Sequence, residues 1–349
     1  MDIYAELLTA LRTEERIMLA TIISTSGSTP AAVFSKMLLK NNGSTSLGTV
    51  GGGCMEGDVL LLMQRCFDAD CADSISFTLN EDDMENGLIC GGNLSLFIEP
   101  LTKIHIPLIE EIYTRRNNGD DTILVTRFDS QKNRAEKFIA SADIDFSARY
   151  EKEIRRAQQK NEAVTIISGE EIYILEPIAG TPHLYIFGGG HVSKFVCRTA
   201  AMIGFRITII DDRAQFANKE RFPEASETIV LDFAEFTQRI SIEPSSYIVI
   251  VTRGHQFDET VLEQLISTDA KYIGMIGSKR KVLTTFKNLK ARGISREQLL
   301  KVHSPMGIEI GAISAEEIAI SIAAELIRVR RGEGLPLAHK NSALREEKF

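Results

Sequence analysis

From residue 183 to the early 330s the chain alternates short apolar runs with amphipathic stretches: LYIFGG, a helical pattern over 191–203, RITIIDD, DFAEFTQRI, YIVIVTR, FDETVLEQLIS, KYIGMIG and SKRKVLTTFKNLKARG. Continuous apolar runs, without polar alternation, need both faces covered, and helices between them supply the cover. This half therefore specifies a Rossmann-like α/β domain with a parallel sheet, DFAEFTQRI being read as one of its helices. It closes with SAEEIAISIAAELIRVRRG, where Ser314 and Glu317 have capping-box spacing and Gly332 stands where a C-cap belongs.

The first half is patterned differently. RIMLATIIST, SKMLLK, SLGTV, SISFTL and LSLFIEP are short β-like runs separated by Gly-rich turns, NNGS among them, with a helical EGDVLLLMQRCFDA between. The N-terminus reads as an amphipathic helix rather than a secretory signal. IPLIEEIYTRRNNG is a predicted helix and DTILVTRF a strand; residues 129–160 are polar, and AVTIIS with EIYILEPI forms a hairpin turning at Gly169. The prolines at 177 and 182 mark a boundary. An N-terminal α+β domain thus spans 1–180, with a compact part at 1–100 and an extension at 101–180. The Rossmann-like domain spans 181–334, and 335–349 form a tail.

At 349 residues two cores are expected, and 44% hydrophobic with 25% charged residues excludes a disordered or fibrous chain. A net charge of -8 argues against a nucleic-acid surface, and no apolar run reaches the ~20 residues of a membrane helix. Five scattered cysteines fit reduced thiols and a cytoplasmic protein.

Gly188, Gly189 and Gly190 follow a strand and His191 opens a helix, an arrangement that lets phosphate approach backbone N–H groups. The third fingerprint position holds Ser193, an expected loosening of helix against strand. Asp211 and Asp212 stand about 20 residues on, where an acid meets a ribose hydroxyl, and Arg213 suits an additional phosphate. Arg253 and His255 occupy the loop after another strand, with Asp258 placed to cap the next helix. Ser278, Lys279 and Arg280 begin a helix whose dipole disfavours cations unless an anion joins them. Each group also has a purely structural reading: a tight turn, a solvated strand end, a loop histidine or a basic helix face. In the first half, Cys54 follows three glycines and precedes Glu56 at a helix start, where a thiol pKa falls; Cys90 precedes two more glycines. The bland alternative is a small buried cysteine.

These stretches, with TSGSTP at 25–30, GGCMEGD, CGG at 90–92, FGGGHV, DDR, YIGMIGSKRK and SPMGIEIGAISAEEIAISIAAELI, resemble the XdhC/CoxI family of molybdenum-cofactor chaperones over nearly the whole chain. The resemblance implies an accessory factor rather than the dehydrogenase itself. Such a factor binds molybdenum cofactor, as molybdopterin or its dinucleotide form, protects it during sulfuration and inserts it into a xanthine dehydrogenase-like molybdenum hydroxylase. It further implies that Cys54, and Cys90 with it, lie near the cofactor, where soft thiolate suits the molybdenum. A cysteine desulfurase and a second copy in a homodimer are expected partners. Two other readings compete: an NAD(P)-dependent oxidoreductase, carried by the glycine turn and Asp211, and an enzyme modifying the cofactor with Cys54 as acceptor thiol.

Overall fold

The computed structural model describes residues 2–40, 45–78 and 92–332, without the side chains of Cys54, His255 and Gln256. The expected turn at 41–44, the CGG stretch from Cys90 and the tail 335–349 lie outside the described residues, apart from Gly92. The chain forms two compact units, Met1–Gly180 and Thr181–Phe349.

In the first unit α1 (Ile3–Thr13) leads into β1 (Arg16–Ser26), β2 (Lys36–Lys40), β3 (Thr45–Gly48), α2 (Gly53–Ala69), β4 (Asp73–Thr78) and β5 (Asn93–Thr102). The strands pair antiparallel in the order β3-β2-β1-β5-β4. The Asp2 carboxylate caps α1 through Tyr4 N–H at 3.0 Å, so the helix buries Tyr4, Leu7, Leu8 and Leu11 on one face. After α3 (Ile106–Asn118) come β6 (Thr122–Asp129), β7 (Arg134–Ile139), α4 (Ile144–Arg149), α5 (Glu151–Lys160), β8 (Val164–Ser168) and β9 (Glu171–Ile178). The polar 129–160 stretch thus carries one strand and two helices, while the 164–178 hairpin turns at Gly169 with φ 65°. The second sheet has the order β7-β6-β9-β8.

Two buried ion pairs tie these sheets together: Lys36 Nζ lies 2.5 Å from Glu176 Oε1, and Lys137 Nζ 2.7 Å from Glu99 Oε1. Burial lowers the Lys36 pKa although Glu176 opposes the shift.

The second unit contains β10 (His183–Phe187), α6 (His191–Met202), β11 (Arg206–Asp211), β12 (Glu227–Val230), β13 (Tyr247–Ile250), α7 (His255–Leu265), β14 (Tyr272–Met275), α8 (Lys279–Ala291), α9 (Arg296–Leu300) and α10 (Ala315–Arg331). All its strand pairs are parallel, in the order β12-β11-β10-β13-β14. Residues of α6 and α10 cover one face around Ile186 and Ile207; residues of α7, α8 and α9 cover the other around Ile210 and Ile250. The expected helix in DFAEFTQRI is only a 3-10 turn, Phe236–Gln238. Its aromatic side chain enters the core, so one buried residue suffices where a helix would need a stripe. Strand β12, too short and half-exposed to show a period, escaped the sequence reading. Ser314 and Glu317 do form a capping box, and Gly332 ends α10 with φ 73°.

At the start of β10, Arg206 donates to His183 Nδ1 at 2.9 Å, leaving Nε2–H for Thr208 Oγ1 at 2.8 Å. Burial, with Arg206 nearby, lowers the His183 pKa to about 4. The unfolded chain therefore takes up this proton below about pH 6.5 while the folded unit resists it until about pH 4. Stability should fall across that window by about 1–2 kcal/mol, a figure reduced for partial solvent access. Urea titrations at several pH values check this; a His183→Phe variant with the same slope would remove the histidine as its cause.

Candidate functional site

The strand order reverses at β10, so the turn after it opens at the carboxyl edge of the sheet between its neighbours β11 and β13. Gly188 adopts φ 104°, and a Cβ there would stand 2.4 Å from Val251 O; at Gly189 it would meet Phe216 O at 2.2 Å. These two glycines are required by close backbone packing. Gly190 differs, because nothing lies within 4 Å of its missing Cβ. It is the N-cap of α6, which has no side-chain cap and no acid in its first turn, so the positive end of the helix dipole is not neutralised there by a capping side chain or a first-turn carboxylate. Ser193, expected to loosen the helix, is fully buried and donates its hydroxyl to Gly188 O. The helix stays close because the hydroxyl finds a partner in the turn itself.

Asp211 ends β11 and is 1% exposed. Its Oδ1 accepts from Arg213 N at 3.1 Å and Nε at 2.9 Å; its Oδ2 accepts from Gly189 N at 2.8 Å and the Arg213 terminal nitrogen at 3.1 Å. A carboxylate has about four lone-pair positions, and all are taken by the chain's own donors. Burial pushes this carboxyl upward, but Arg213 and Gly189 outweigh it and hold the pKa below the usual range. Asp212 pairs with Arg253 through Oδ2 at 2.6 Å, while its Oδ1 lies 3.4 Å from Arg213 Nε. Since β11 and β13 flank β10, the Arg253–Asp212 pair spans the sheet edge beside the glycine turn.

Two residues join this site that sequence reasoning missed. Arg221 Nε donates to Gly189 O at 2.8 Å, and Phe216 carries the Arg213 guanidinium 3.7 Å and the Arg221 guanidinium 5.0 Å from its ring centre. No motif signals them, since they lie in an irregular loop folded back onto the turn. Three guanidinium groups against two carboxylates leave the turn with net positive charge, suited to an anion.

Asp258 does not cap α7. It is fully buried, accepts from Thr252 N at 3.1 Å and Thr252 Oγ1 at 2.6 Å, and pairs with Lys281. The N-cap is Gly254, and the carboxylate turns inward because Lys281 needs a partner there. His255 is the first residue of α7. Ser278 caps α8, while Lys279 and Arg280 are exposed in its first turn. The SPMGIEIGA stretch has a structural content as well. Glu325 accepts from Tyr272 Oη at 2.8 Å and Gly307 N at 2.7 Å, with His303 and Arg328 each at 3.3 Å.

In the first unit three motif loops meet. A Cβ at Gly51 would touch Pro30 Cγ at 2.7 Å, and one at Gly92 would touch Ser28 O at 2.4 Å. Gly51, Gly52 and Gly53 all have positive φ, which turns successive N–H groups inward. Glu56 fills that concavity, accepting from Val50 N at 3.2 Å, Gly52 N at 3.0 Å and the Thr49 hydroxyl, which lower its pKa, Thr49 most. Glu56 therefore shapes the loop that leads into Cys54, the second residue of α2. By contrast burial raises the Cys66 and Cys197 thiols to about 12, so neither serves as a nucleophile at neutral pH. Among the described residues no cluster of three or more His, Cys, Asp or Glu is placed to hold a metal.

Residues 184–326 match the XdhC Rossmann domain, and residues 10–77 match the XdhC and CoxI family. The chain belongs to the XdhC and CoxI family. This XdhC-family chain is 25% identical over 326 residues to a probable xanthine dehydrogenase subunit of Bacillus subtilis (strain 168), covering 92% of itself and 95% of that protein. It is 30% identical over 178 residues to the uncharacterized protein YqeB of Escherichia coli (strain K12), covering 50% of itself and 32% of that longer protein. A crystal structure of a xanthine dehydrogenase from Bacillus halodurans superposes with a TM-score of 0.77 at 25% identity, over 98% of this chain and 99% of the other.

Proposed function

We propose that this XdhC-family protein holds molybdenum cofactor by its phosphate at the glycine turn and serves the maturation of a xanthine dehydrogenase-like molybdenum hydroxylase in the cytoplasm. The observation that carries this reading is the saturated Asp211. A nicotinamide dinucleotide enzyme needs an acceptor for the ribose diol at that position, and here four donors already occupy the carboxylate. What the turn still offers is the uncapped helix start beyond Gly190 beside Arg213 and Arg253, with Lys279 and Arg280 exposed at the start of α8. That donor set fits a phosphate monoester or diester better than a diol.

The bound group would supply the oxygen-transfer centre of the recipient hydroxylase. This chain's residues would bind the phosphate, and Cys54, and Cys90 with it, would protect the molybdenum end during sulfur supply by a cysteine desulfurase. The relatives bearing xanthine dehydrogenase names support the partner class. Among the described residues no helix is long and apolar enough to cross a membrane.

The test is to purify the chain from molybdenum-replete cells and to reconstitute it with cofactor released from a molybdenum enzyme. Molybdenum would be read by mass spectrometry and the pterin by fluorescence after oxidation. Expected are molybdenum and pterin in equal amounts, with Cys54→Ser retaining its fold and losing part of the molybdenum. Recovery of NAD(P) without pterin would favour the oxidoreductase reading, and failure to take up the offered cofactor would sink the proposal.

A further inference from the structure

The outer face of α10 carries an unpartnered apolar stripe. Ile320 and Ile327, seven residues apart, are 56% and 36% exposed, on the side opposite the buried Ala319, Ile322 and Leu326, and Ile313, 88% exposed, immediately precedes the N-cap Ser314. At 100° per residue, Glu316, Ile320, Ala324, Ile327 and Arg331 fall within one arc about 80° wide. Along that arc an acid stands at the N-terminal end, a base at the C-terminal end, isoleucines between them and a small alanine near the middle. A face of this kind is complementary to its own reverse.

We propose that α10 pairs antiparallel with α10 of a second copy of this chain about a two-fold axis. Placing the axis between positions 323 and 324 sets Ile320 against Ile327 of the second copy and Glu316 against its Arg331, each contact occurring twice, as an isologous interface requires. Ala324, only partly buried, stands beside the axis, and its small side chain lets the helix backbones approach closely. Both ends also extend the apolar area. Ile310, 50% exposed, precedes the helix, and Met202, 80% exposed, ends α6 beside the α10 C-terminus, where Arg330 donates to Ile203 O at 2.7 Å. The antiparallel arrangement brings the Ile310 end of one copy toward the Met202 end of the other. That widens the contact toward the ~1,200 Å² typical of stable interfaces. Pairing of this kind needs the helix face alone and is independent of what the glycine turn binds.

Sedimentation equilibrium of the full chain at micromolar concentration decides it. The wild type is expected to be a dimer. Ile320→Asp, at an exposed position that leaves the core intact, is expected to weaken it roughly tenfold or more, as are Glu316→Arg and Arg331→Glu singly, each of which turns two attractions into two repulsions. Mixing the Glu316→Arg chain with the Arg331→Glu chain restores opposite charges at both contacts, so a heterodimer of wild-type strength is expected. A monomeric wild type, as would follow if another segment or a different protein covers this face, overturns the proposal. So does a dimer indifferent to these substitutions, or a mixture that stays monomeric. Far-UV circular dichroism establishes that each variant is folded.

Discussion

Gly190→Val is expected to fold like the wild type and to lose affinity for a phosphate ligand by roughly tenfold or more, about 1.4 kcal/mol. Gly189→Val should fail earlier, in folding. The contrast follows from what each missing Cβ would meet: open space at position 190, and Phe216 O at 2.2 Å at position 189. Gly190 has φ -69° and ψ -164°, which a side chain tolerates, so its stability change should stay within about 1 kcal/mol for a poorer N-cap. At Gly189 backbone must move, a cost of about 1–3 kcal/mol or more, and the Gly189 N–H bond to Asp211 is strained with it. Urea denaturation and titration with inorganic phosphate or pterin phosphate on the same samples separate the two effects. A folded Gly190→Val chain with unchanged affinity would remove the glycine turn as the anion site.

The largest stability loss is expected from Asp258→Ala, about 3–5 kcal/mol, because it strands the Lys281 ammonium, only 15% exposed, and the Thr252 N–H and hydroxyl without their acceptor. Burial raises the Asp258 carboxyl above its usual value, even though Lys281 and Thr252 pull it down, so ionisation there is already costly. A neutral replacement of the pair should consequently recover much of the loss. Asp258→Asn with Lys281→Met is expected to be more stable than Asp258→Ala alone. If the double variant is as unstable as the single one, the loss comes from packing rather than from the stranded charge.

Apart from β7 and β12, the strand positions were legible in the sequence, as were the parallel sheet, the α10 capping box and the glycine turn, because apolar periodicity, cap spacing and strand–turn–helix order are local or additive along the chain. So was family membership, carried by strings such as YIGMIGSKRK and SPMGIEIGAISAEEIAISIAAELI. The state of the titratable residues was not. Asp211 reads as a free ribose acceptor until Arg213 and Gly189 fill its four lone-pair positions, and Asp258 reads as a helix cap until Lys281 is brought beside it from 23 residues away. Arg221 and Phe216 carry no motif and reach the site only because their loop folds back onto Gly189. Likewise, the apolar residues of α10 do not say by themselves which face is buried, and only the packed helix shows Ile322 and Leu326 inside with Ile320 and Ile327 outside. Periodicity reveals that a face is apolar, but which face meets the sheet, and which donor reaches which acceptor, depends on long-range packing that no local pattern encodes.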